Sequence, residues 1–113
     1  MEERVQISIL LDLYGDLLTD KQRSIMDLYF NDDLSLAEIS EHTNTSRQAI
    51  FDLIKRCQKQ LIEYENKLRL MEKNSQSESY KEIILNNIEL LKAKVDNECL
   101  SFVEEIKRLV LEL

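Results

Sequence analysis

Apolar side chains recur along this chain at intervals of three and four residues, which is the spacing of amphipathic α-helices. Residues 4–14 carry one such stripe, and Gly15 after it fits the C-terminal cap of a first helix. Thr19 and Gln22 form a capping box that predicts the start of a second helix, and the polar residues 31–33 end it. The 113 residues include one glycine and no proline, so long helices with few connections, an all-α fold class, are expected.

A third helix has the strongest start signal in the chain. Ser35 and Glu38 form a second capping box, and Leu34 in front of it is placed to pack on Ile39 as a hydrophobic staple. Residues 43–45 are three poor helix formers in succession. The third helix is therefore expected to be short.

A fourth helix is predicted to begin after Ser46 and to meet no breaker before Asn74. Its apolar residues alternate steps of four and three over three heptads, which predicts a helix that packs lengthwise on another helix. These residues are Ile50, Ile54, Cys57, Leu61, Tyr64, Leu68 and Met71.

The connection between the third and fourth helices matches the structural demands of a DNA-binding helix-turn-helix. Ser40 is small, where the two helices must approach closely, and Asn44 stands at a turn position that usually requires a positive φ. Ile50 and Leu53 anchor the second helix of the pair. One position departs from the pattern, because Thr45 stands where an apolar residue usually closes the turn.

The domain organisation predicted from these patterns has three parts. Residues 1–72 form the helix-turn-helix domain with its long recognition helix, and residues 73–79 form a polar hinge. Residues 80–113 form a C-terminal helix that packs on the fourth helix or on a partner chain. Its apolar stripe consists of Ile84, Ile88, Leu91, Val95, Phe102, Ile106, Leu109 and Leu113.

Six residues near the start of the fourth helix are candidates for nucleic-acid contact, because its apolar stripe faces inward. They are Arg47, Gln48, Phe51, Lys55, Arg56 and Lys59. Arginine and glutamine side chains read base edges, lysine and arginine bind phosphates, and an aromatic side chain here is more often a packing residue. Residues 46–60 carry four basic groups and one acidic group, a local charge of +3 against a net charge of −7. The alternative is that these charges only solvate a long helix, since Asp52 lies on the same face.

The remaining chemistry predicts neither an enzyme nor a cofactor. Cys57 and Cys99 fall in apolar stripes and are interpreted as buried thiols, and His42 is the single histidine. No catalytic set, metal-ligand spacing or small-molecule substrate site emerges. No apolar run is long enough for membrane insertion, and Glu2 and Glu3 have the wrong charge for a signal peptide, so a cytoplasmic protein is expected.

Several ordered blocks of sequence resemble the YlxM family of small bacterial proteins. They are L-L-T-D-K-Q-R, D-L-Y-F-N-D-D-L-S-L-A-E-I-S, S-R-Q-A-I-F-D-L-I-K-R and Y-E-N-K-L, and the resemblance covers about residues 5–70. It implies a headpiece of three to four helices, similar to region four of RNA polymerase sigma factors and to winged-helix domains. It also implies a role in or beside the signal recognition particle pathway, or a role in DNA binding and regulation.

Two hypotheses about function follow. The first is a nucleic-acid-binding regulator whose partner is duplex DNA or the RNA of the signal recognition particle. The second is a protein-interaction adaptor that uses the helix-turn-helix as a scaffold and binds components of the signal recognition particle, its long helices presenting surfaces to a translocation factor or to polymerase. A homodimer serves either hypothesis, because the two apolar stripes exceed what one small headpiece needs to cover.

Overall fold

The computed structural model describes residues 2–113, and within this range the chain folds into six α-helices and no β-strand. The all-α fold class is therefore confirmed. A single turn of 3-10 helix, Gly15–Leu17, connects the first two α-helices. The six helices are α1 (Glu3–Tyr14), α2 (Asp20–Phe30), α3 (Leu36–Thr43), α4 (Arg47–Leu68), α5 (Leu70–Lys92) and α6 (Asn97–Leu111).

The starts of α2 and α3, predicted from two capping boxes, are confirmed. The Thr19 hydroxyl accepts a hydrogen bond from the Gln22 backbone N–H at 3.2 Å, and the Gln22 side chain accepts one from the Thr19 N–H at 3.0 Å. Ser35 and Glu38 make the same reciprocal pair at 3.1 Å in each direction. These bonds satisfy backbone donors that a helix start otherwise leaves without partners. Gly15 is the C-terminal cap of α1, as predicted, but its φ of −57° is right-handed, and the chain continues from it into the 3-10 turn.

The chain forms two compact units, and the first ends at Met71. In this unit α1, α2 and α3 surround the N-terminal part of α4 and enclose one apolar core. Ile39 and Ile50 in this core are fully buried, so α3 and α4 are fixed against each other by side-chain packing. The buried members of the core are Ile7, Leu10, Leu11, Tyr14, Leu18, Ile25, Met26, Phe30, Ile39, Ile50, Ile54, Cys57 and Leu61.

The second unit begins at Glu72 and consists of most of α5 together with α6. Ile88 of α5 packs with Val103 and Val110 of α6, and Leu85 and Val95 lie at the border of this small cluster. The second unit is thus a pair of helices held by a much smaller core than that of the first unit.

The prediction of a polar hinge at 73–79 is wrong, because this segment lies inside α5. Serine, asparagine and glutamine cost a helix only a few tenths of a kcal/mol each relative to its best formers, and a solvated helix tolerates them. The helix is interrupted earlier, at Arg69, whose φ of 54° is left-handed. The fourth helix is long, as predicted, but it ends at Leu68 rather than near Asn74.

The prediction of one continuous helix over 80–113 is also wrong. Residues 93–96 interrupt it, and Asp96 caps α6 by accepting a hydrogen bond from the Cys99 N–H at 2.8 Å. Local side-chain competition of this kind ends helices that an apolar stripe alone would continue. Cys57 is buried as expected, but Cys99 is exposed because it lies at the start of α6, beyond the small core.

Candidate nucleic-acid interface

The turn between α3 and α4 has the geometry that the sequence predicts for a helix-turn-helix. Asn44 adopts the left-handed conformation, with φ of 53°, and its N–H donates to the Ser40 carbonyl. The Ser40 hydroxyl in turn donates to the Thr45 carbonyl at 2.5 Å, and the Thr43 hydroxyl donates to the Ile39 carbonyl at 2.8 Å. Hydrogen bonds therefore close this turn at Thr45, the position where a helix-turn-helix usually has an apolar residue.

The orientation of α4 is set at its first turn and along its buried stripe. Ser46 caps the helix by accepting a hydrogen bond from the Ala49 N–H at 3.1 Å. Ile50, Ile54 and Cys57 then enter the core with almost no exposed surface. Because residues three and four apart share a helix face, this stripe fixes which side chains lie on the opposite, solvent-exposed face.

All six candidate residues are exposed to solvent on α4. They are Arg47, Gln48, Phe51, Lys55, Arg56 and Lys59. They are spread over about three turns of the helix, and the first of them, Arg47, is the first residue of α4. The N-terminal half of α4 therefore presents four cations, one amide and one aromatic ring on a surface that the core leaves uncovered.

Asp52 lies among these residues and contacts one of them directly. The Gln48 side-chain amide donates a hydrogen bond to Asp52 Oδ1 at 3.0 Å, across one helical turn. This contact holds the Gln48 amide along the helix surface and places a carboxylate within the basic surface. Sequence reasoning places Asp52 on this face without pairing it, although the four-residue spacing from Gln48 was the available signal for this contact.

Phe51 lies at the edge of the surface rather than in the core, since its ring is 43% exposed. The Lys55 ammonium lies 5.5 Å from the centre of that ring, within the range of a cation–π interaction. Phe51 and Lys55 also line a shallow surface concavity together with Ala49, Asp52 and Arg56. Sequence reasoning missed Ala49, whose small side chain leaves this concavity open; its position beside the buried stripe, one residue before Ile50, was the available signal.

Cys57 has no part in this surface. Its thiol is fully buried, and burial raises its pKa above the ordinary range, although the nearby Arg56 cation partly opposes the shift. A buried thiol with a raised pKa is a packing group rather than a nucleophile.

Residues 2–113 contain neither a metal-binding cluster nor a membrane-spanning helix. No cluster of three or more histidine, cysteine, aspartate or glutamate side chains has an arrangement suited to a metal ion. None of the described helices is both long and apolar enough to cross a bilayer.

Comparison with known proteins gives a consistent result. A family model, UPF0122, described as "Putative helix-turn-helix protein, YlxM / p13 like", matches residues 1–100. A UPF0122 protein of Clostridium kluyveri is 54% identical over 104 residues, which cover 92% of this chain and 94% of that protein. One of Clostridium botulinum is 56% identical over 112 residues, covering 96% and 100%, and one of Clostridium novyi is 52% identical over 113, covering 99% and 98%.

Proposed function

The chain belongs to the UPF0122 family of YlxM/p13-like helix-turn-helix proteins, and from this premise we propose that it binds duplex DNA with α4 in the major groove. One observation carries the proposal: a turn closed by the left-handed Asn44 presents the uncovered, basic N-terminal half of α4. A second helix presented in this way is the element that enters the major groove in helix-turn-helix proteins.

The side chains divide by their chemistry into two roles. Arg47 and Gln48, in the first turn of α4, suit the base edges, because arginine pairs with guanine and glutamine with adenine through two hydrogen bonds each. Lys55, Arg56 and Lys59 suit phosphates, which position the helix without reading sequence. The exposed ring of Phe51 suits apolar contact with a thymine methyl group.

The hydrogen bond between Gln48 and Asp52 is compatible with base reading. The Gln48 amide nitrogen carries two hydrogens, and Asp52 accepts only one of them. The second hydrogen and the Gln48 carbonyl oxygen stay available for adenine. Asp52 thus orients the amide, while its negative charge weakens the attraction of the same surface to phosphates.

A titration of labelled duplex DNA of random sequence, followed by fluorescence anisotropy at two salt concentrations, tests the proposal. With about three phosphate contacts per chain, the logarithm of the association constant should fall with the logarithm of salt with a slope of about −3. The RNA of the signal recognition particle and the particle's protein serve as comparison ligands in the same assay. Absence of duplex binding at low salt would contradict the proposal.

The Arg47→Ala variant is expected to bind duplex DNA more weakly by about 1–3 kcal/mol and to discriminate less between sequences, because it loses a base contact. Anisotropy titrations against a selected sequence and against random duplex measure both effects. Arg108→Ala, which removes an equal charge from α6 outside the helix-turn-helix, is the matched control and should bind like the wild type. Equal affinity of the Arg47 variant and the wild type would exclude this use of α4.

The Asp52→Asn variant is expected to bind random duplex more tightly than the wild type, by a few-fold at low salt. The substitution removes the one carboxylate among the four cations of residues 46–60 and keeps the side chain's shape. The gain should shrink as salt is raised, because added ions screen charges at the surface. Glu63→Gln, an equal change of charge further along α4, should have a smaller effect, and equal gains for both variants would argue against a localised interface.

The role in the signal recognition particle pathway, the adaptor alternative and the cytoplasmic location stay predictions. The titration described above distinguishes the pathway role and the adaptor alternative from DNA binding. An adaptor would bind the particle's protein with no need for nucleic acid, whereas a DNA-binding regulator would bind purified duplex alone. RNA would have to be met through its backbone and loops, because its deep, narrow major groove excludes a helix.

A further inference from the structure

The pair of helices α5 and α6 has two edges of opposite character on either side of its small core. One edge is charged: Glu89 of α5 pairs with Lys107 of α6 at 2.8 Å, and Lys92 of α5 pairs with Glu104 of α6 at 2.5 Å. The hydrogen bond and charge of Lys107 lower the pKa of Glu89, and the hydrogen bond to Glu104 raises the pKa of Lys92. The charged side chains of this edge are therefore paired with each other across the two helices, and they need no partner from another chain.

The other edge, which we call the apolar edge, is formed by large hydrophobic side chains of both helices. These side chains are between 40% and 88% exposed. Tyr80, Ile84 and Leu113 line one shared concavity on this edge. The members of the apolar edge are Tyr80, Ile84 and Leu91 of α5, and Phe102, Ile106, Leu109 and Leu113 at α6 and the residues after it.

The spacing of these residues is that of a second packing stripe. On α6, Phe102, Ile106 and Leu109 are separated by four and three residues, and they lie beside the buried stripe of Val103 and Val110. A helix with two adjacent apolar stripes is suited to pack against two neighbouring helices at once, as in a four-helix bundle. The α5–α6 pair supplies only one of those neighbours.

The size of the second unit also indicates that its apolar edge needs a partner. A unit of about 40 residues rarely encloses enough apolar surface to be stable alone, and its buried cluster consists of Ile88, Val103 and Val110. The seven side chains of the edge expose on the order of 700 Å² in this chain, close to one partner's share of a standard protein interface. That area exceeds what isolated surface hydrophobics account for.

We propose that the apolar edge is the dimer interface of this protein, and that two copies pack edge to edge to form a four-helix bundle from α5 and α6 of each chain. A second copy presents the same edge at the same concentration, and a two-fold axis makes one self-complementary patch sufficient. The dimer does not depend on DNA binding. It does provide two recognition helices, which a headpiece with few phosphate contacts needs for affinity.

The charges beside the edge select one arrangement of the two copies. Glu98 and Glu105 lie seven residues apart on α6, at the border of the edge that lies away from α5. On α5 the corresponding border carries the neutral residues Gln76 and Asn87. Two α6 helices laid against each other would oppose these glutamates, so each α6 packs against the α5 of the other copy.

Sedimentation equilibrium of the full chain, without nucleic acid and over micromolar concentrations, tests the proposal. The wild type should have twice the 13.4 kDa mass of one chain. Ile106→Glu and Phe102→Glu place a charge on the apolar edge and should shift the mass to that of a single chain, with dissociation at least tenfold easier. Circular dichroism should show unchanged helix content in both, since the substituted side chains are half exposed or more.

Leu111→Glu is the matched control, because Leu111 is 54% exposed on α6, against 50% for Ile106, but lines a concavity with residues of the charged edge. It should remain a dimer. A wild type that sediments as one chain at every concentration would overturn the proposal and leave the edge to a different protein. Dimers that persist in both edge variants, or that dissociate equally in the Leu111 control, would overturn the placement of the interface.

Discussion

Replacement of Ile50 with alanine is expected to lower the free energy of unfolding by about 2–5 kcal/mol, the usual cost of removing a large aliphatic side chain from a tight core. Ile50 has no exposed surface and lies in the same core as Ile39 of α3, so its loss leaves a cavity where the helix-turn-helix is packed. Urea denaturation followed by circular dichroism measures the change. DNA affinity, measured at a temperature where the variant is still folded, should fall as well if α4 reads DNA.

Ile62→Ala is the matched control for this prediction. Ile62 is the same residue type on the same helix, but it is 44% exposed. Its replacement should change the unfolding free energy by less than about 1 kcal/mol, since it opens no cavity. Similar losses for the two variants would mean that the core of the first unit is not organised around Ile50.

The Tyr14→Phe variant is expected to lose about 1–3 kcal/mol of unfolding free energy, the range for a partly buried hydrogen bond to a charged group. The Tyr14 hydroxyl donates to Glu65 Oε1 at 2.7 Å and accepts from the Leu70 N–H at 3.1 Å. Glu65 also accepts from the Met71 N–H at 3.0 Å. These bonds bracket the left-handed Arg69, so the phenol links residues 65–71 to α1 within the first unit.

The same tyrosine should give the protein a specific sensitivity to alkaline pH. Burial, and then the hydrogen bond to Glu65, raise the pKa of Tyr14 above its ordinary value of 10.0, although the Leu70 N–H partly opposes this. The folded state therefore holds the phenolic proton more tightly than the unfolded chain does. This contribution to stability is complete below about pH 10 and is lost as the pH rises through the higher pKa of the folded state.

Urea denaturation at several pH values between neutrality and the alkaline range measures this effect. Tyr14→Phe should show a smaller alkaline loss of stability than the wild type. Tyr80→Phe is the control, because Tyr80 is 63% exposed, and it should follow the wild-type curve. An alkaline loss that is the same in all three proteins would assign it to other groups.

Local signals in the sequence are enough to predict the starts of α2, α3 and α4. Thr19 with Gln22 and Ser35 with Glu38 act within one turn of chain, so no distant contact is needed for their hydrogen bonds to form. Asn44 is a similar case, because asparagine tolerates the left-handed conformation better than other residues with a side chain. The exposed face of α4 follows from its apolar stripe, so the candidate interface is predictable as a surface, although its binding role stays a proposal.

Interactions between residues far apart in the chain cannot be predicted from local sequence signals in the same way. The hinge expected at 73–79 is helical, and the helix is interrupted at Arg69, whose type gives no sign of a left-handed backbone. The hydrogen bonds around Arg69 depend on Tyr14, which lies 51 residues from Glu65 along the chain. The interruption at 93–96 does have a local signal in Asp96, but the apolar stripe that runs past this residue masks it.

By itself, then, the sequence determined the all-α class, the helix-turn-helix and the row of side chains that α4 presents, because caps, turns and helix periodicity act between residues a few positions apart. The tertiary structure alone decided where the long helix ends and that α5 and α6 share one apolar edge. Each of these depends on which side chains are brought together from different turns or helices, and spacing along a single stripe does not contain that information.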